Sequence, residues 1–310
     1  MSEKFDDYKI QEGCTVQPQT KKELVDIIKR TCKRKGWNCD LNFIDTSKIT
    51  DMSRLFANIP TCYGGYGFRK FNCDISKWNV SNVKNMDCMF SGAKKFNQPL
   101  NDWNTSNVES MNYMFFDAIS FNQPIENWDV SKVTTMHYMF GYAKNFNQPL
   151  DKWNVSKVKS MKGMFAHAKN FNQPIENWDV SNVSSMCSMF KNAISFNHPL
   201  EKWDVSNVHI MNHMFYEAKN FNQPLNNWNT SKVTSMSRMF KNAISFNQPL
   251  DEWDTKNVSK ILDITDMFKD AEIFDNKIPS LKNFEFKRFD DKCFLLGLSH
   301  KYAEKHQHDF

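Results

Sequence analysis

The side chains of this sequence that could do chemistry are its cysteines, histidines and acidic residues, which serve as nucleophiles, metal ligands or general acids and bases. The eight cysteines include no C-x-x-C pair and share no common spacing: Cys14, Cys32, Cys39, Cys62, Cys73, Cys88, Cys187 and Cys293. Reduced thiols are the default expectation, because no export signal is visible. In an oxidising compartment, disulfides among Cys32, Cys39, Cys62 and Cys73 remain an alternative.

The histidines do not form a metal-binding set in the sequence. Four of them lie at different distances after the nearest tryptophan and are not expected to converge: His137, His167, His209 and His213. Three more lie near the end of the chain and indicate a solvent-exposed tail: His300, His306 and His308. No H-E-x-x-H motif, ligand-spaced Cys/His cluster, Gly-rich phosphate loop or nucleophile elbow occurs. We therefore predict no catalytic residue, no cofactor and no bound metal.

An acidic or amide residue follows each regularly spaced tryptophan. It is Asp at positions 129, 179, 204 and 254 and Asn at positions 79, 104, 154 and 229. Because Asp and Asn interchange along this row, the pattern indicates Asx turns, in which the side-chain oxygen accepts a backbone N–H, rather than a catalytic carboxylate. A cation held between Asp179 and Asp204 is the minor alternative. The sequence predicts that the protein is not an enzyme.

The charge balance is only mildly basic, with 40 basic and 35 acidic residues and a net charge of +5. One dense basic run, residues 29–35, indicates a solvated helix end, with contact to an anionic partner as the alternative. Nucleic-acid binding is not expected. The first residues have no apolar core of a signal peptide, and no run approaches the roughly 18 apolar residues of a membrane helix. We expect a protein that is cytoplasmic or packaged in a virion.

The elements that must position all these residues come from a 25-residue repeat. Eight tryptophans, from Trp78 to Trp253, lie 25 residues apart without a slip. Around each one the chain repeats F-N-Q-P-(L/I)-x-x-W-(D/N)-(V/T)-S-(N/K)-V-x-x-M-x-x-M-F-x-x-A-x-x. Fixed periods of this length are typical of solenoids, in which each unit buries its apolar face only against its neighbours.

Two elements are predicted in each unit. Met86, Met89, Phe90 and Ala93 follow the spacing i, i+3, i+4, i+7, which predicts a helix of about two turns. The residue before the first Met is usually Ser, Thr or Asn, which suits a helix N-cap. The segment from Leu100 past Trp103 and Thr105 predicts a short strand, which would stack into a parallel sheet.

The asparagine of each F-N-Q-P motif is polar and always present. It occurs at positions 97, 122, 147, 172, 197, 222 and 247. We predict a stacked ladder in a buried turn, with the side-chain amides bonding neighbouring backbone groups. A row of ligand-binding amides is the alternative.

The repeat unit resembles the 25-residue form of the BspA-like leucine-rich repeat, found in bacterial surface lipoproteins and in large DNA viruses. The resemblance covers about residues 45–274, and residues 20–24 and 44–56 look like the family's entry segment. It implies an α/β repeat solenoid, a right-handed leucine-rich-repeat-like superhelix with one short parallel strand and one short helix per coil. It implies no catalytic residue, because the family has no common activity.

Three regions are predicted from the repeat and its ends. Residues 1–44 form an N-terminal cap with a helix near 20–34, where Thr20 and Glu23 make a capping box. Residues 45–274 form about nine coils, the first degenerate and followed by an insertion at 57–70. Residues 275–310 form a C-terminal cap whose apolar residues cover the last coil.

Any binding specificity is expected at positions that do not repeat. Tyr113, Phe116, Tyr138 and Tyr142 are predicted to cluster on the helix side of two adjacent coils, where exposed aromatics often mark protein contacts. Amphipathic cover of the local core is the alternative. The insertion adds an aromatic loop with Tyr63 and Tyr66 as further contact candidates.

The function predicted from the sequence is a non-catalytic protein–protein interaction scaffold that presents a solenoid surface. Its partner would be another protein or a protein assembly, and no membrane span is expected. The alternatives are a structural component of a larger assembly such as a virus particle, and an adhesin-like surface protein. The oligomeric state does not follow from the sequence.

Overall fold

The chain is a repeat solenoid in which equivalent residues of successive 25-residue units lie side by side. The computed structural model describes residues 15–58, 68, 70–279, 281 and 289–306. One isolated parallel β-bridge joins each coil to the next, from Asp51–Asn85 through Asn85–Ser110 and Ser110–Thr135 to Ile210–Ser235. Two further parallel bridges, Val16–Ile44 and Asp40–Asp74, connect the N-terminal region.

Helices occur only towards the ends of the described residues. Helix α1 spans Lys21–Lys35, with the Thr20 side chain accepting the Glu23 backbone N–H at its start. A short 3-10 helix spans Ile261–Asp263 in the last coil. Helices α2, Phe289–Leu296, and α3, His300–His306, follow the solenoid. None of these helices is long and apolar enough to cross a membrane.

The helix predicted in every repeat is wrong, because the described residues between 45 and 260 contain no helix. In the coil of Met161, the N–H groups of Met164 and Ala166 bond carbonyls three residues back, which makes successive tight turns. The N–H groups of Met161 and Phe165 instead bond carbonyls of the next coil, at 3.0 and 2.9 Å. A continuous helix would use these same N–H groups within the coil.

The strand predicted at each tryptophan is also absent from the described residues. Trp103 N–H bonds Leu100 O at 3.1 Å and Val108 N–H bonds Thr105 O at 2.9 Å, so this part of the coil is folded into local turns. The bridge lies instead at the residue before the first Met, such as Ser110, where the sequence predicted a helix N-cap.

Aromatic ladders fill the interior of the solenoid. The Phe165 ring stacks on Phe171 of its own coil at 3.9 Å, and on Phe140 and Phe190 of the two neighbouring coils at 5.7 and 5.8 Å. The indole N–H of Trp178 donates to Leu150 O at 2.9 Å, and every tryptophan from Trp78 to Trp253 makes the equivalent bond. These side chains are buried, so the repeated apolar residues are held by contacts between coils.

The predicted asparagine ladder is confirmed, although it lies at the surface rather than in a buried turn. Asn147 Oδ1 accepts the Asn172 backbone N–H at 2.8 Å and the Gln173 side-chain amide at 3.0 Å. The same backbone bond recurs in the other coils, and at the last one Asp275 N–H bonds Asn247 Oδ1. The side chain thus completes backbone hydrogen bonding between coils.

The predicted Asx turns are confirmed as well. Asp129 accepts the Ser131 backbone N–H at 2.9 Å, and Asn154 accepts the Ser156 N–H at 3.1 Å in the same way. The Ser131 hydroxyl and N–H lower the pKa of Asp129, and the Ser206 hydroxyl and N–H lower that of Asp204. A carboxylate and an amide therefore do the same structural work at this position, as their interchange in the sequence indicated.

The C-terminal helices cover the last coil. Asp266 N–H and Phe268 N–H bond the carbonyls of Leu295 and Leu296 at the end of α2, at 2.9 and 2.8 Å. The Tyr302 hydroxyl of α3 donates to Asn276 O at 2.9 Å.

Two expectations for this tail are wrong. His306 is not a free tail residue, since it stacks on Tyr302 at 4.4 Å and lies 2.9 Å from Asp275 Oδ1. Phe294, expected to cover the last coil, is 86% exposed. His308 lies outside the described residues.

We expect Asn147→Ala to lower the free energy of unfolding by about 1–2 kcal/mol, because it removes two hydrogen bonds that each contribute about 1 kcal/mol. Asn147→Asp keeps both acceptor positions and should cost less. The measurement is denaturant unfolding of the two variants beside the wild type. Equal destabilisation by Ala and Asp would contradict the role of the side-chain oxygen.

We expect the double variant Asp129→Asn, Asp204→Asn to resist acid better than the wild type. A carboxyl whose pKa is lowered by folding stabilises the fold above its unfolded pKa of about 3.9, and that contribution is lost as the pH falls through the lowered value. Asn does not titrate, and the chain already uses it at equivalent positions. Melting temperatures at pH 7 and pH 3 measure the effect, and parallel losses in both proteins would contradict it.

Candidate interaction surface and thiol cluster

The positions that vary between repeats lie on the turns that follow each β-bridge. The first variable position is the residue directly before the second Met of the M-x-x-M-F motif. Its backbone φ is positive in every full coil, at Cys88, Tyr113, Tyr138, Gly163, Ser188, His213 and Arg238. The second variable position lies two residues after the Phe of the same motif. It includes Asp117, with a φ of 54°, and Tyr142, with a φ of 59°. A left-handed backbone costs a residue other than glycine about 1 kcal/mol or more. The inter-coil hydrogen bonds hold these residues in that conformation.

The four aromatic residues predicted to cluster do come together. Tyr113 stacks on Tyr138 with ring centres 5.3 Å apart, and Phe116 lies 5.6 Å from Tyr113 and 5.2 Å from Tyr142. His167, which the sequence did not single out for this group, stacks on Tyr142 at 4.2 Å. We call Tyr113, Phe116, Tyr138, Tyr142 and His167 the aromatic patch.

Two glycines make room for the aromatic patch. A Cβ at Gly163 would overlap the Tyr138 ring, and φ is +62° there. A Cβ at Gly141 would lie 3.0 Å from the Phe116 ring and 3.1 Å from the Tyr138 ring. Tyr138 therefore lies in a recess that is open because Gly141 in its own coil and Gly163 in the next coil have no side chain. The glycines were visible in the sequence, but their place beneath a ring one coil away was not.

The aromatic patch is partly exposed, and burial shifts the pKa values of two of its members. Tyr142 is 36% exposed, whereas Tyr113, Phe116 and Tyr138 are half-buried. Burial, and then the charge of Lys191, lower the pKa of His167, so its ring is neutral at pH 7. Burial also raises the pKa of Tyr138. These groups offer ring faces and hydroxyl groups rather than a general acid or base.

The other predicted sites are not part of the aromatic patch. Tyr63 and Tyr66 lie outside the described residues. His213 lies beside Tyr216, at 5.6 Å between ring centres. Asp179 and Asp204 each accept a backbone N–H in their own Asx turn, from Ser181 and Ser206, at 3.1 and 3.0 Å.

A thiol cluster is the one group of metal-ligand type in the described part of the chain, and sequence spacing did not predict it. Cys73 Sγ lies 3.6 Å from Cys32 Sγ and 3.4 Å from Cys39 Sγ. All three sulfur atoms lie within 4.8 Å of one another. The cysteines are separated by 7 and 34 residues, so only the packing of helix α1 against the first coils brings them together.

Cys39 and Cys73 are poorly suited to nucleophilic chemistry. Burial, and then the neighbouring Cys73 thiol, raise the pKa of Cys39 to about 11. The hydrogen bond with Cys32 raises the pKa of Cys73. Reactive cysteines have lowered pKa values, because the thiolate is the nucleophile.

A protein-family comparison matches most of the chain. The family described as "Mycoplasma protein of unknown function, DUF285" matches residues 28–151, 122–220 and 198–296. The chain belongs to the DUF285 family. No curated protein matches this DUF285 chain in sequence.

One solved structure with limited similarity is a plant peptide hormone receptor, RGFR1, in complex with RGF2. It is 10% identical with a TM-score of 0.20, and the alignment covers 69% of the DUF285 chain. The DUF285 chain covers 45% of the receptor chain, which is less than half of the receptor's length.

We expect Gly163→Ala to lower the free energy of unfolding by about 1–3 kcal/mol, because the added methyl group overlaps the Tyr138 ring. In a Tyr138→Ala background the same change should cost less, since the ring is gone. A coupling energy of about 1 kcal/mol or more is expected from denaturant unfolding of the four proteins. Strict additivity would show that Tyr138 does not occupy this recess.

Proposed function

We propose that this DUF285 protein is a non-catalytic interaction scaffold that binds another protein through its aromatic patch. The observation that carries the proposal is the stack of Tyr113, Tyr138, Phe116, Tyr142 and His167 at positions that vary between repeats. The repeated Phe, Trp and Met residues are buried in the core between coils, and the repeated Asn side chains accept backbone N–H groups of the next coil. The resemblance of the repeat to BspA-like proteins supports the same reading, because that family has no common activity.

The chemistry of the aromatic patch favours a protein partner. Tyrosine is enriched in protein interfaces because it offers a large, stiff contact area with a polar tip. The rings are already stacked on one another, so little side-chain freedom remains to be lost on binding. Burial and then Lys191 lower the pKa of His167, whereas the nearby Glu217 raises it. A partner segment with apolar side chains and hydrogen-bonding groups would complement the ring faces and the hydroxyl groups.

The test replaces Tyr113 and Tyr142 together by Ala and leaves Tyr138, which fills the glycine recess, unchanged. Cross-linking mass spectrometry of the native protein in its source identifies the partner, and titration with the purified partner measures affinity. We expect the double variant to bind about 30-fold more weakly or worse, as interface hot spots of 2 kcal/mol or more do. Melting temperatures should change by only a few degrees.

Tyr216→Ala is the matched control. Tyr216 lies on the same kind of turn three coils beyond Tyr138 and contacts Lys191, 4.9 Å from its ring centre, rather than the patch. Its loss should leave the affinity unchanged. Equal weakening by Tyr216→Ala, or full binding by the double variant, would refute the aromatic patch as the contact surface.

A structural role in a larger assembly is the second candidate, and the C-terminal end of the solenoid favours it. Leu262 is 76% exposed and Phe294 is 86% exposed. Ile261 and Ile273, which lie close to Leu262 in the sequence, are exposed as well. Ile261 and Phe294 line a cleft between the last coil and α2. Large exposed apolar residues often mark contacts between subunits.

We expect Leu262→Glu with Phe294→Glu to abolish any self-association of the purified chain, because each change places a charge in the apolar contact. Sedimentation velocity of the variant and the wild type measures this. Lys301→Glu, an exposed change on α3, is the control for charge alone. If the wild type stays monomeric at every concentration, the hypothesis of self-assembly through this end is wrong.

A further inference from the structure

The thiol cluster joins three separate parts of the N-terminal region. Cys32 lies in the last turns of α1, and Cys39 and Cys73 each precede a residue of the parallel bridge Asp40–Asp74. The bonds Leu41 N–H to Asp74 O and Asp74 N–H to Cys39 O, at 2.9 and 3.0 Å, hold these two segments side by side. The backbone therefore fixes Cys39 and Cys73 next to each other, and helix α1 carries Cys32.

The separations suit a metal ion with thiolate ligands. Zinc–sulfur bonds of about 2.3 Å in a tetrahedral site place sulfur atoms about 3.8 Å apart. Cys73 Sγ lies 3.4 Å from Cys39 Sγ and 3.6 Å from Cys32 Sγ, and the Cys32 and Cys39 sulfur atoms lie within 4.8 Å of each other. A shift of a few tenths of an ångström would bring these sulfurs to tetrahedral spacing.

We propose that Cys32, Cys39 and Cys73 bind one Zn²⁺ ion, which fastens helix α1 to the first coils of the solenoid. Three thiolates form a soft ligand set of the kind that selects zinc. Cys32 and Cys73 are 1% and 0% exposed, whereas Cys39 is half-buried. Cys39 is the least buried of the three, so the ion would enter on its side, and the three thiol protons pass to the solvent on binding.

The charge around the cluster also suits a bound zinc–thiolate group. Three thiolates and one Zn²⁺ carry a net charge of −1, and the last turn of α1 carries Lys33, Arg34 and Lys35. An anionic group is unfavourable at the C-terminal end of a helix, and these three positive charges offset that cost.

A disulfide between Cys73 and one neighbour is the competing chemistry. A disulfide would form between two of the sulfur atoms and leave the third as a free thiol next to the S–S bond. A metal ion would bind all three sulfur atoms. A disulfide also requires an oxidant, and zinc binding does not.

The test measures zinc and cobalt binding by the full-length, reduced protein. Zinc is titrated against a chromophoric chelator, and Co²⁺ reports thiolate ligands through sulfur-to-cobalt charge-transfer absorption. The variants are Cys73→Ser, which removes the central buried ligand, and Cys39→Ser, which removes the half-buried one and should disturb folding least. Cys293→Ser and Cys187→Ser are matched controls, buried and half-buried respectively.

We expect one Zn²⁺ per chain, a rise in melting temperature with zinc, and a loss of affinity of more than about tenfold in both cluster variants. The two controls should behave like the wild type. Thiolate-to-cobalt absorption absent from the reduced wild type, or unchanged in Cys39→Ser, would overturn the proposal. Peptide mapping of native protein that finds Cys73 in a disulfide would overturn it in favour of the competing chemistry.

Discussion

The contact between identical positions one repeat apart is the interaction on which the rest of this structure depends. A single coil contains tight turns and one bridge residue, and several backbone N–H groups of these turns have no acceptor inside the coil. The N–H of Phe165 finds its acceptor in Met189 O of the next coil, and the indole of Trp178 finds its acceptor in Leu150 O of the preceding one. Because every coil supplies hydrogen-bond acceptors to its neighbours, the stability of each coil depends on the coils beside it.

This dependence decides where the sequence can vary. A change at Phe165 or Trp178 would affect two adjacent coils, so these positions repeat. The turn positions at Tyr113, Tyr138 and Tyr142 adopt a left-handed backbone that the neighbouring coils maintain, and their side chains are free to differ. The aromatic patch is thus a consequence of the same hydrogen bonds that hold the solenoid together. Its tyrosines are presented on a rigid frame, which suits a binding surface.

The ends of the solenoid need different solutions from its middle. At the C-terminal end, α2 supplies the carbonyls that the next coil would otherwise provide to Asp266 and Phe268. At the N-terminal end, α1 and the residues around Cys39 lie against the first coils, and the thiol cluster occurs where these parts meet. A metal ion there would strengthen the end of the array, where each coil has one neighbour fewer.

Much of this protein follows from its sequence alone. The 25-residue period, the aromatic ladders, the asparagine ladder and the Asx turns follow from residue types that recur in phase. The grouping of Tyr113 with Tyr138 follows from the same period, since equal phase means adjacent position.

Only the tertiary structure decided the backbone of each turn and the sites that join distant segments. Apolar residues at i, i+3 and i+4 face inward in a helix and in two successive tight turns alike, so the Met and Phe spacing could not tell them apart. The carbonyl acceptors of Met161 N–H and Phe165 N–H lie in the next coil. The spacing of residues within one coil does not predict such hydrogen bonds between coils. For the same reason the recess at Gly163 and the meeting of Cys32, Cys39 and Cys73 appear only when separate segments are packed together.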